Sequence, residues 1–389
     1  MIARISLLLL LVIVLPDAYI YRRYVSRRQD LSRRLKRLWW LPCMALLAYT
    51  LGLSCIRDFA PANIIWLNCY LFLVGLIVVP KCVFVLCSLL GRLLRRLFHL
   101  HHNYGNYLGV LAVLLLWHLL FYGSVVGVSR LRIHRVDLSF PDLPQAFDGY
   151  RIVQFSDAHV GTIGETLLHH VADSIAAQRP DLICFTGDLV NVRATEAERF
   201  RTVLSALKAR DGVVSVLGNH DYSMYLNVPE EEKRANEQRL VDFQRQIGWQ
   251  LLRNSHITLR RGADSLVIAG EENDGRPPFP SRADMSSTLS GVGPSAFTIM
   301  LQHDPSAWQR AVLKHSGAQL TLSGHTHGGQ FSVFGWRPTK LSYEEDFGLY
   351  ERMGRWLYVS CGIGGVVPFR YAMPAEVVVF TLHRNVQRK

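Results

Sequence analysis

The sequence predicts a membrane region followed by an α/β domain whose sheets are buried. Long apolar segments dominate the first third of the 389-residue chain, where short basic stretches separate them. From about Arg130 the apolar runs become short, and turn residues appear at regular intervals. In this second part the apolar runs alternate with helical patterns, which is typical of layered α/β domains.

Four apolar segments of the first third are near or above the length of about 20 residues that crosses a bilayer core. We predict spanning helices at 5–21, 38–56, 64–90 and 107–128, so that residues 1–129 form a transmembrane region. The first segment has no small-residue cleavage site after its apolar core, which favours an uncleaved anchor over a signal peptide.

Three residues inside these segments need an explanation. Pro80 predicts a kink in the third span, and Lys81 is expected to reach a membrane interface with its ammonium group. Asp17 has two interpretations, since a carboxylate in a membrane segment can mark an ion path or can lie near a helix end and face a basic loop. The second interpretation is favoured.

The basic excess of the chain belongs to the membrane region. The whole chain has 43 Lys and Arg against 31 Asp and Glu, a net charge of +12. Residues 1–132 hold 16 of the basic and three of the acidic residues, which leaves 27 and 28 for the remainder. The soluble part is therefore close to neutral, and nucleic acid is not expected as a partner.

The positions of the basic residues predict the orientation of the chain. Arginines crowd the first and third connections, whereas the second connection at 57–61 is short and neutral. The positive-inside rule places the first and third connections in the cytoplasm. With four spans, the soluble domain lies on the periplasmic or extracellular side of a multi-pass membrane protein, and the loss of one span would reverse this result.

The rest of the chain divides into a connector and one domain. Residues 130–149 predict a connector with an edge strand, and residues 150–389 predict the α/β domain. Helices are predicted at 164–178, 195–210 and 229–246, and strands at 151–155, 182–185, 213–217, 266–269, 297–301, 319–322, 356–360 and 377–382.

Polar residues that can bind metals follow the ends of five strands. Ligand sites of open α/β sheets collect at this edge. In extended backbone, residues i and i+2 point to the same side, so Asp157 with His159, and His325 with His327, can each face one site. The five stretches are Asp157-Ala158-His159, Gly187-Asp188, Gly218-Asn219-His220-Asp221, Gln302-His303-Asp304 and Gly324-His325-Thr326-His327-Gly328.

This set of carboxylate, amide and imidazole side chains suits two metal ions better than one. A single catalytic ion of the zinc type takes about three protein ligands, whereas two ions bridged by a carboxylate would use the whole set. Mixed nitrogen and oxygen ligands favour Mn, Fe or Zn over Mg or Ca. Alone, a histidine near a strand end is more often structural, and an Asp after Gly is more often a turn or a helix cap. Five such stretches in order argue against coincidence.

The combined pattern resembles the signature of calcineurin-like metallophosphoesterases, in the bacterial membrane-anchored branch, over about residues 150–382. The resemblance implies a four-layer αββα sandwich of two sheets with a dinuclear metal centre. It further implies that Asp157, His159 and His327 bind the first metal, that Asn219, His303 and His325 bind the second, and that Asp188 bridges both.

The resemblance also implies the roles of the catalytic residues. His220 would contact the substrate and protonate the leaving oxygen, Asp221 would orient His220, and water activated by the two cations would attack phosphorus. Asn191 departs from the pattern, since many members have Asp there. Arg276 and Arg370 are further candidates for binding the substrate phosphate, although an ordinary salt bridge explains each equally well.

The leading hypothesis is therefore a membrane-anchored, dinuclear metal-dependent phosphohydrolase. Its position beside a bilayer suggests a lipid-linked or amphiphilic phosphate ester or pyrophosphate, and phosphorylated small molecules stay open as substrates. The alternative is a non-catalytic metal-binding sensor or regulatory membrane protein, against which the intact His220 argues. A transporter is disfavoured, because Asp17 and Lys81 are too few ionisable groups for an ion path. The sequence does not indicate an oligomeric state.

Overall fold

A computed structural model of the chain describes residues 2–56 and 64–385, with side chains from Leu7 onward. The predicted neutral connection at 57–61 lies outside the described residues. Contacts divide the chain into two compact units, Met1–Ser124 and Val125–Lys389.

The described part of the first unit consists of helices with largely apolar surfaces. Three π-helical turns extend or join them, at Tyr21–Val25, Val74–Val78 and Tyr122–Val126. The helices are α1 (Ile2–Ile20), α2 (Arg33–Leu38), α3 (Leu41–Ser54), α4 (Ile64–Leu73), α5 (Val79–Leu97) and α6 (Tyr104–Phe121).

Among the described residues, two helical stretches that begin in this unit are long and apolar enough to cross a membrane, Ile64–Leu97 and Tyr104–Ser129. They coincide with the third and fourth predicted spans. The helix of the third span continues through Pro80, and the irregularity that the proline introduces is the π-helical turn just before it. Helices α1 and α3 lie where the first and second spans are predicted, and the total of four spans stays a prediction.

Asp17 and Lys81 form an ion pair inside the first unit. The Lys81 Nζ lies 2.7 Å from the Asp17 Oδ1, and Asp17 is 2% exposed. Pairing explains why both charges are tolerated among apolar helices, where either alone would be costly. The expectations that Lys81 reaches an interface and that Asp17 faces the basic loop are therefore wrong.

The second unit contains two six-stranded sheets. Their strand orders are β1-β12-β2-β3-β4-β5 and β10-β11-β9-β8-β7-β6. The strands are β1 (Leu131–Phe140), β2 (Tyr150–Phe155), β3 (Leu182–Phe185), β4 (Val213–Ser215), β5 (Gln250–Leu251), β6 (Ser255–Arg261), β7 (Asp264–Gly270), β8 (Thr298–Leu301), β9 (Leu320–Ser323), β10 (Gly348–Arg352), β11 (Arg355–Val359) and β12 (Ala375–Arg384). The helices are α7 (Glu165–Ala177), α8 (Thr195–Glu198), α9 (Arg201–Ser205), α10 (Glu230–Gln246), α11 (Met285–Thr288) and α12 (Leu313–His315).

Apolar side chains from both sheets interlock to form the central core, in which Phe140 packs edge-to-face on Phe297 with ring centroids 5.0 Å apart. Helices cover the outer face of each sheet and bury two further clusters. The layers are thus helix, sheet, sheet and helix, which confirms the αββα sandwich. The predicted edge strand is β1, which pairs in parallel with β12.

Candidate metal centre

The predicted ligands follow the carboxyl ends of parallel strands in both sheets. In the first sheet, the parallel neighbours β2, β3 and β4 end shortly before Asp157, Asp188 and Asn219. In the second sheet, the parallel neighbours β8 and β9 end shortly before His303 and His325. Strand ends at one edge therefore bring side chains from distant parts of the sequence into two clusters.

The first cluster contains Asp157, His159 and His327. The Nε2 atoms of the two histidines lie 3.2 Å apart, and His327 Nε2 lies 3.5 Å from Asp157 Oδ1. Neighbouring ligands of a cation bound at roughly 2.0–2.2 Å are separated by about 3.0–3.5 Å. These three side chains therefore fit one divalent cation.

The second cluster contains Asn219, His303 and His325. The Asn219 Oδ1 lies 3.2 Å from His303 Nε2 and 2.7 Å from His325 Nδ1. His303 is fully buried, and its Nδ1 donates to the carbonyl of Thr186 at 2.7 Å, which leaves Nε2 for the cluster. This arrangement fits a second divalent cation with nitrogen and oxygen ligands.

Asp188 lies between the two clusters. Its Oδ2 is 3.7 Å from His159 Nε2 and 3.3 Å from His303 Nε2, so one oxygen faces ligands of both clusters. Its Oδ1 accepts a hydrogen bond from the backbone N–H of His220 at 2.8 Å. A Cβ at Gly218 would lie 2.2 Å from this Oδ1, so the position of the carboxylate requires glycine there.

Five of the ligand residues have left-handed backbone conformations. Such φ angles are uncommon for residues with a Cβ and cost of order 1–3 kcal/mol each. Strain of this kind persists where the surrounding structure enforces it, typically at functional sites. The residues and φ angles are Asp157 (51°), His159 (42°), Asp188 (59°), His325 (74°) and His327 (53°).

Burial and neighbouring charges determine the protonation of the ligands. Burial lowers the pKa of His159 to about 3 and that of His325 to about 4, which keeps both imidazoles neutral at pH 7. Although burial opposes it, the Asp188 carboxylate raises the pKa of His303 to about 10, and His303 in turn holds the pKa of Asp188 well below its ordinary value. Neutral imidazoles and ionised carboxylates are the forms that bind metals, so His159, His325 and Asp188 have the required form at pH 7. His303 is protonated beside Asp188 and would have to release its proton when a cation binds.

His220 lies beside the first cluster. Its ring centroid is 4.8 Å from that of His159, with the two rings nearly perpendicular, and the ring stacks on Tyr225 with centroids 4.3 Å apart. Its Nδ1 donates to the backbone carbonyl of Asn191 at 2.6 Å, so Nε2 is the nitrogen left for other contacts. Because Asn191 orients the ring through its main chain, Asn in place of Asp leaves this contact intact.

The structure does not bring the Asp221 carboxylate to the His220 ring. The carboxylate is fully buried and accepts hydrogen bonds from the backbone N–H groups of Gly218, Asp188, Leu189 and Val190. Asp221 thus holds the loop that carries Asp188 in place. It is a positioning residue, and any effect on His220 is indirect.

The two arginine candidates lie in different surroundings. Arg276 is exposed on the loop that contains Phe279, and the Phe279 ring contacts His325 edge-to-face at 4.7 Å. Arg370 is 2% exposed, and its guanidinium donates to five backbone carbonyls of residues 361–374. These contacts give Arg370 a structural role, and phosphate binding by either arginine stays a prediction.

Three further side chains contact the site, of which Tyr225 and Tyr343 lie outside every motif and Asp304 lies in the Gln302-His303-Asp304 stretch without a predicted role. Tyr225 stacks on His220 and accepts a hydrogen bond from Asn219 Nδ2 at 3.0 Å. Tyr343 lies 2.7 Å from His325 Nε2, and the Asp304 carboxylate lies 3.6 Å from the same nitrogen. Asp304 is adjacent to His303 in sequence, so its position after a strand was the one signal that could have identified it.

Candidate metal-binding clusters that share the Asp188 carboxylate thus lie at the strand ends of an αββα sandwich. The family model for the calcineurin-like phosphoesterase domain matches residues 150–329. A second family model, described as the transmembrane domain of a probable calcineurin-like phosphoesterase, matches residues 3–128.

Curated relatives extend over the soluble part. An uncharacterized metallophosphoesterase of Aquifex aeolicus is 30% identical over 65% of this chain and 92% of its own length. The uncharacterized metallophosphoesterase YkuE of Bacillus subtilis is 32% identical over 62% of this chain and 81% of its own. The UDP-2,3-diacylglucosamine pyrophosphatase LpxG of Chlamydia trachomatis is 28% identical over 64% of this chain and 88% of its own length.

The chain belongs to the calcineurin-like metallophosphoesterase family. It is a phosphoric ester hydrolase of a family that uses divalent metals, and it carries an N-terminal transmembrane region.

Proposed function

We propose that this protein is a membrane-anchored hydrolase that cleaves a phosphate ester or pyrophosphate bond in a lipid-linked or amphiphilic substrate. The observation that carries the proposal is the Asp188 carboxylate, which faces ligands of both clusters, with His220 beside them. One carboxylate between two ligand sets is the arrangement that a two-metal phosphoryl-transfer site requires.

The ligand residues of the site fall into two proposed metal-binding sets with one shared carboxylate. Asp157, His159 and His327 would hold one divalent cation, Asn219, His303 and His325 would hold the other, and Asp188 would serve both. When bound, Mn, Fe or Zn ions supply activation of water and neutralisation of phosphoryl charge.

His220 is the proposed catalytic acid. Its Nδ1–H is held by the Asn191 carbonyl, which leaves Nε2 for the substrate. In the imidazolium form, Nε2–H would donate a hydrogen bond to a phosphoryl oxygen or its proton to the leaving oxygen, and the imidazole would be left neutral with its proton on Nδ1. Arg276, on the exposed loop beside His325, is proposed to contact the far side of the substrate.

An apolar groove supports an amphiphilic substrate. It encloses about 680 Å³, and its apolar lining includes Leu167, Ile363, Val367 and Phe369. A pocket of this size and lining suits acyl or isoprenoid chains better than a hydrophilic phosphate ester. Val128 and Ser129 of the same unit also line it.

The groove is built on the loops that carry the metal ligands. Thr162 in its wall donates to the carbonyls of His159 and Gly365. Gly364, also in the wall, donates from its N–H to the carbonyl of Asp157 at 2.8 Å. An apolar chain in the groove would therefore lie beside the metal centre, and the LpxG relatives are named for a substrate that combines diacyl chains with a pyrophosphate.

The metal centre is tested by two variants with opposite expectations. Asp188→Ala should lose bound metal and nearly all turnover of an aryl phosphate, because both clusters lose their shared ligand. Asp173→Ala removes an exposed carboxylate from α7 and should match wild type. Bound metal is counted by elemental analysis before and after chelation, and Mn should restore the chelated wild type. A metal-loaded wild type that is inert on mono-, di- and pyrophosphates would favour the sensor alternative.

The groove is tested by substrate preference. Val367→Gln places a polar group in the groove and should lower kcat/KM for an acylated pyrophosphate by roughly tenfold, since burial of a valine side chain is worth about 1.5–3 kcal/mol. Turnover of a soluble aryl phosphate should not change. Leu349→Gln is the matched control, because Leu349 is 39% exposed on β10 and Val367 is 40% exposed. Equal losses on both substrates would contradict the groove assignment.

We further propose that the soluble domain lies on the periplasmic or extracellular side, as the basic first and third connections favour. A reporter that is active only outside the cytoplasm, fused after Lys389, should be active. A silent reporter, with a cytoplasmic reporter active at the same position, would reverse the orientation.

A further inference from the structure

A basic pocket of about 860 Å³ lies within the first unit. The π-helical turn after α1, the last turns of α5 and the segment that leads into α6 form its walls. The arginines and histidines in its lining are Arg23, Arg92, Arg95, Arg96, His101 and His102. The pocket thus collects arginines from the first and third connections at one end of the unit.

No carboxylate in the described part of the first unit neutralises these arginines. That part contains two acidic residues, Asp17 and Asp30, and each is already paired. Asp17 pairs with Lys81 and Asp30 pairs with Arg28, both at 2.7 Å. Four guanidinium groups around one cavity therefore form a concentrated positive site that attracts an anion from outside the protein.

The same pocket also has an apolar side. Phe84, Tyr107 and Val110 line it, and Tyr107 and Val110 are 68% and 52% exposed on the apolar helix α6. Three of the four arginines, Arg92, Arg95 and Arg96, occupy the last turns of α5, where the predicted spanning segment ends and the aqueous interface is expected to begin. A ligand in this pocket meets positive charge at one end and hydrocarbon along α6 at the other.

We propose that this pocket binds the phosphate of an anionic phospholipid headgroup. Guanidinium groups bind phosphate oxygens bidentately, and basic pockets at the ends of spanning helices recognise anionic headgroups. The apolar side favours a lipid over free inorganic phosphate, which shares the anionic chemistry but has nothing to place along α6. The site depends neither on the proposed substrate nor on which side of the membrane the soluble domain lies.

The experiment uses the full chain in a non-ionic detergent. Fluorescently labelled phosphatidylglycerol and phosphatidylcholine are titrated, and binding is followed by fluorescence anisotropy. Phosphatidylglycerol should bind at least about tenfold more tightly, and its affinity should fall as salt is added. Millimolar inorganic phosphate should not displace it, because the phosphate lacks the apolar contact.

A matched pair of variants localises the binding. Arg92→Gln/Arg96→Gln should weaken phosphatidylglycerol binding about 30-fold, at about fivefold per arginine. Arg33→Gln/Arg34→Gln removes the same charge from exposed positions of α2 outside the pocket, and should change the affinity by less than about twofold. Turnover of a soluble aryl phosphate shows that both variants are folded.

Three results would overturn the proposal. Equal wild-type affinity for the two lipids would show that the arginines do not select an anionic headgroup, and this measurement needs no variant. Equal weakening by both double variants would show a diffuse charge effect. Full displacement by inorganic phosphate would show a site for free phosphate.

Discussion

Replacement of Arg370 by alanine distinguishes a structural role from a role in substrate binding. The Arg370 Nη1 lies 3.0 Å from the carbonyl of Met373 and 3.2 Å from that of Pro374. The Nη2 reaches the carbonyls of Cys361, Gly362 and Gly364 at 2.9, 3.0 and 2.5 Å. Alanine would leave all five carbonyls without this donor.

The size of the effect follows from these contacts. Hydrogen bonds to a charged group contribute about 1.5–3 kcal/mol each, so five bonds set an upper limit of about 15 kcal/mol. The loss should be smaller, because Arg370 lines the apolar groove and water can reach some of the carbonyls after truncation. A buried acceptor left without its donor costs about 1–3 kcal/mol, so the carbonyls that stay dry should cost about 3–5 kcal/mol in total. At about 2–4 °C per kcal/mol for a domain of this size, Tm should fall by roughly 6–20 °C.

Thermal unfolding of metal-loaded protein, followed by tryptophan fluorescence, measures the change. Arg135→Ala is the control, because Arg135 is exposed on β1 and donates to Gln178, and surface substitutions of this kind change stability by less than about 0.5 kcal/mol. A structural role predicts a lower Tm with KM nearly unchanged in the fraction that stays folded. An unchanged Tm with a raised KM would refute the structural role and restore Arg370 as a phosphate ligand.

Three other predictions concern the site and its surroundings. His220→Gln should retain both metals by elemental analysis and lower kcat by about 10²–10⁴-fold, since the proposed acid is lost; retained kcat would exclude that role. Asp221→Asn should weaken metal binding by about 10–100-fold, as measured by competition with a chelator, because the Asp188 loop loses its charged acceptor; a lower kcat at unchanged metal affinity would contradict this. Burial raises the pKa of Glu271 to about 7, so the carboxyl stabilises the fold below its unfolded pKa and this stability is lost as pH rises through 7. The free energy of unfolding of Glu271→Gln, measured with denaturant, should therefore rise relative to that of wild type by up to about 3 kcal/mol between pH 5 and pH 8.5. A difference between the two proteins that does not change with pH would refute the assignment.

The metal ligands could be predicted because strand ends have a simple relation to sequence. An apolar run followed by Gly-Asp or Gly-Asn-His places polar side chains at the edge of a parallel sheet, as the structure has them for Asp188, Asn219 and His220. The i, i+2 argument paired Asp157 with His159, which lie in the same cluster, and His325 with His327, which the structure divides between the second and the first cluster. All four have left-handed φ angles, so their side chains are directed by loop backbone and not by an extended strand.

Contacts between residues distant in sequence could not be predicted. Asp17 and Lys81 are 64 positions apart, and no local pattern indicates that two charges in different helices meet. The strands β6 and β10 were not predicted, because their residues are largely half-buried or exposed and form no apolar run. The predicted helix at 195–210 is divided into α8 and α9, and Phe200 at the break has a non-helical φ of −106°.

The residues whose roles changed most, Asp221 and Arg370, have one physical feature in common with Glu196. Each is a buried ionisable side chain that forms hydrogen bonds with several backbone groups of one loop at the candidate metal centre. Asp221 accepts hydrogen bonds from backbone N–H groups at and beside Asp188. Glu196 accepts hydrogen bonds from the backbone N–H groups of residues 191–193, and the carbonyl of Asn191 holds His220. Arg370 donates to backbone carbonyls of the loop that lies beside Asp157. Loops that hold ligands at strained φ angles cannot satisfy all their polar groups among themselves, so a charged side chain replaces the missing partners. A charged residue next to a ligand motif is therefore as well explained by support of the loop as by contact with substrate, and Tm measured beside KM separates the two.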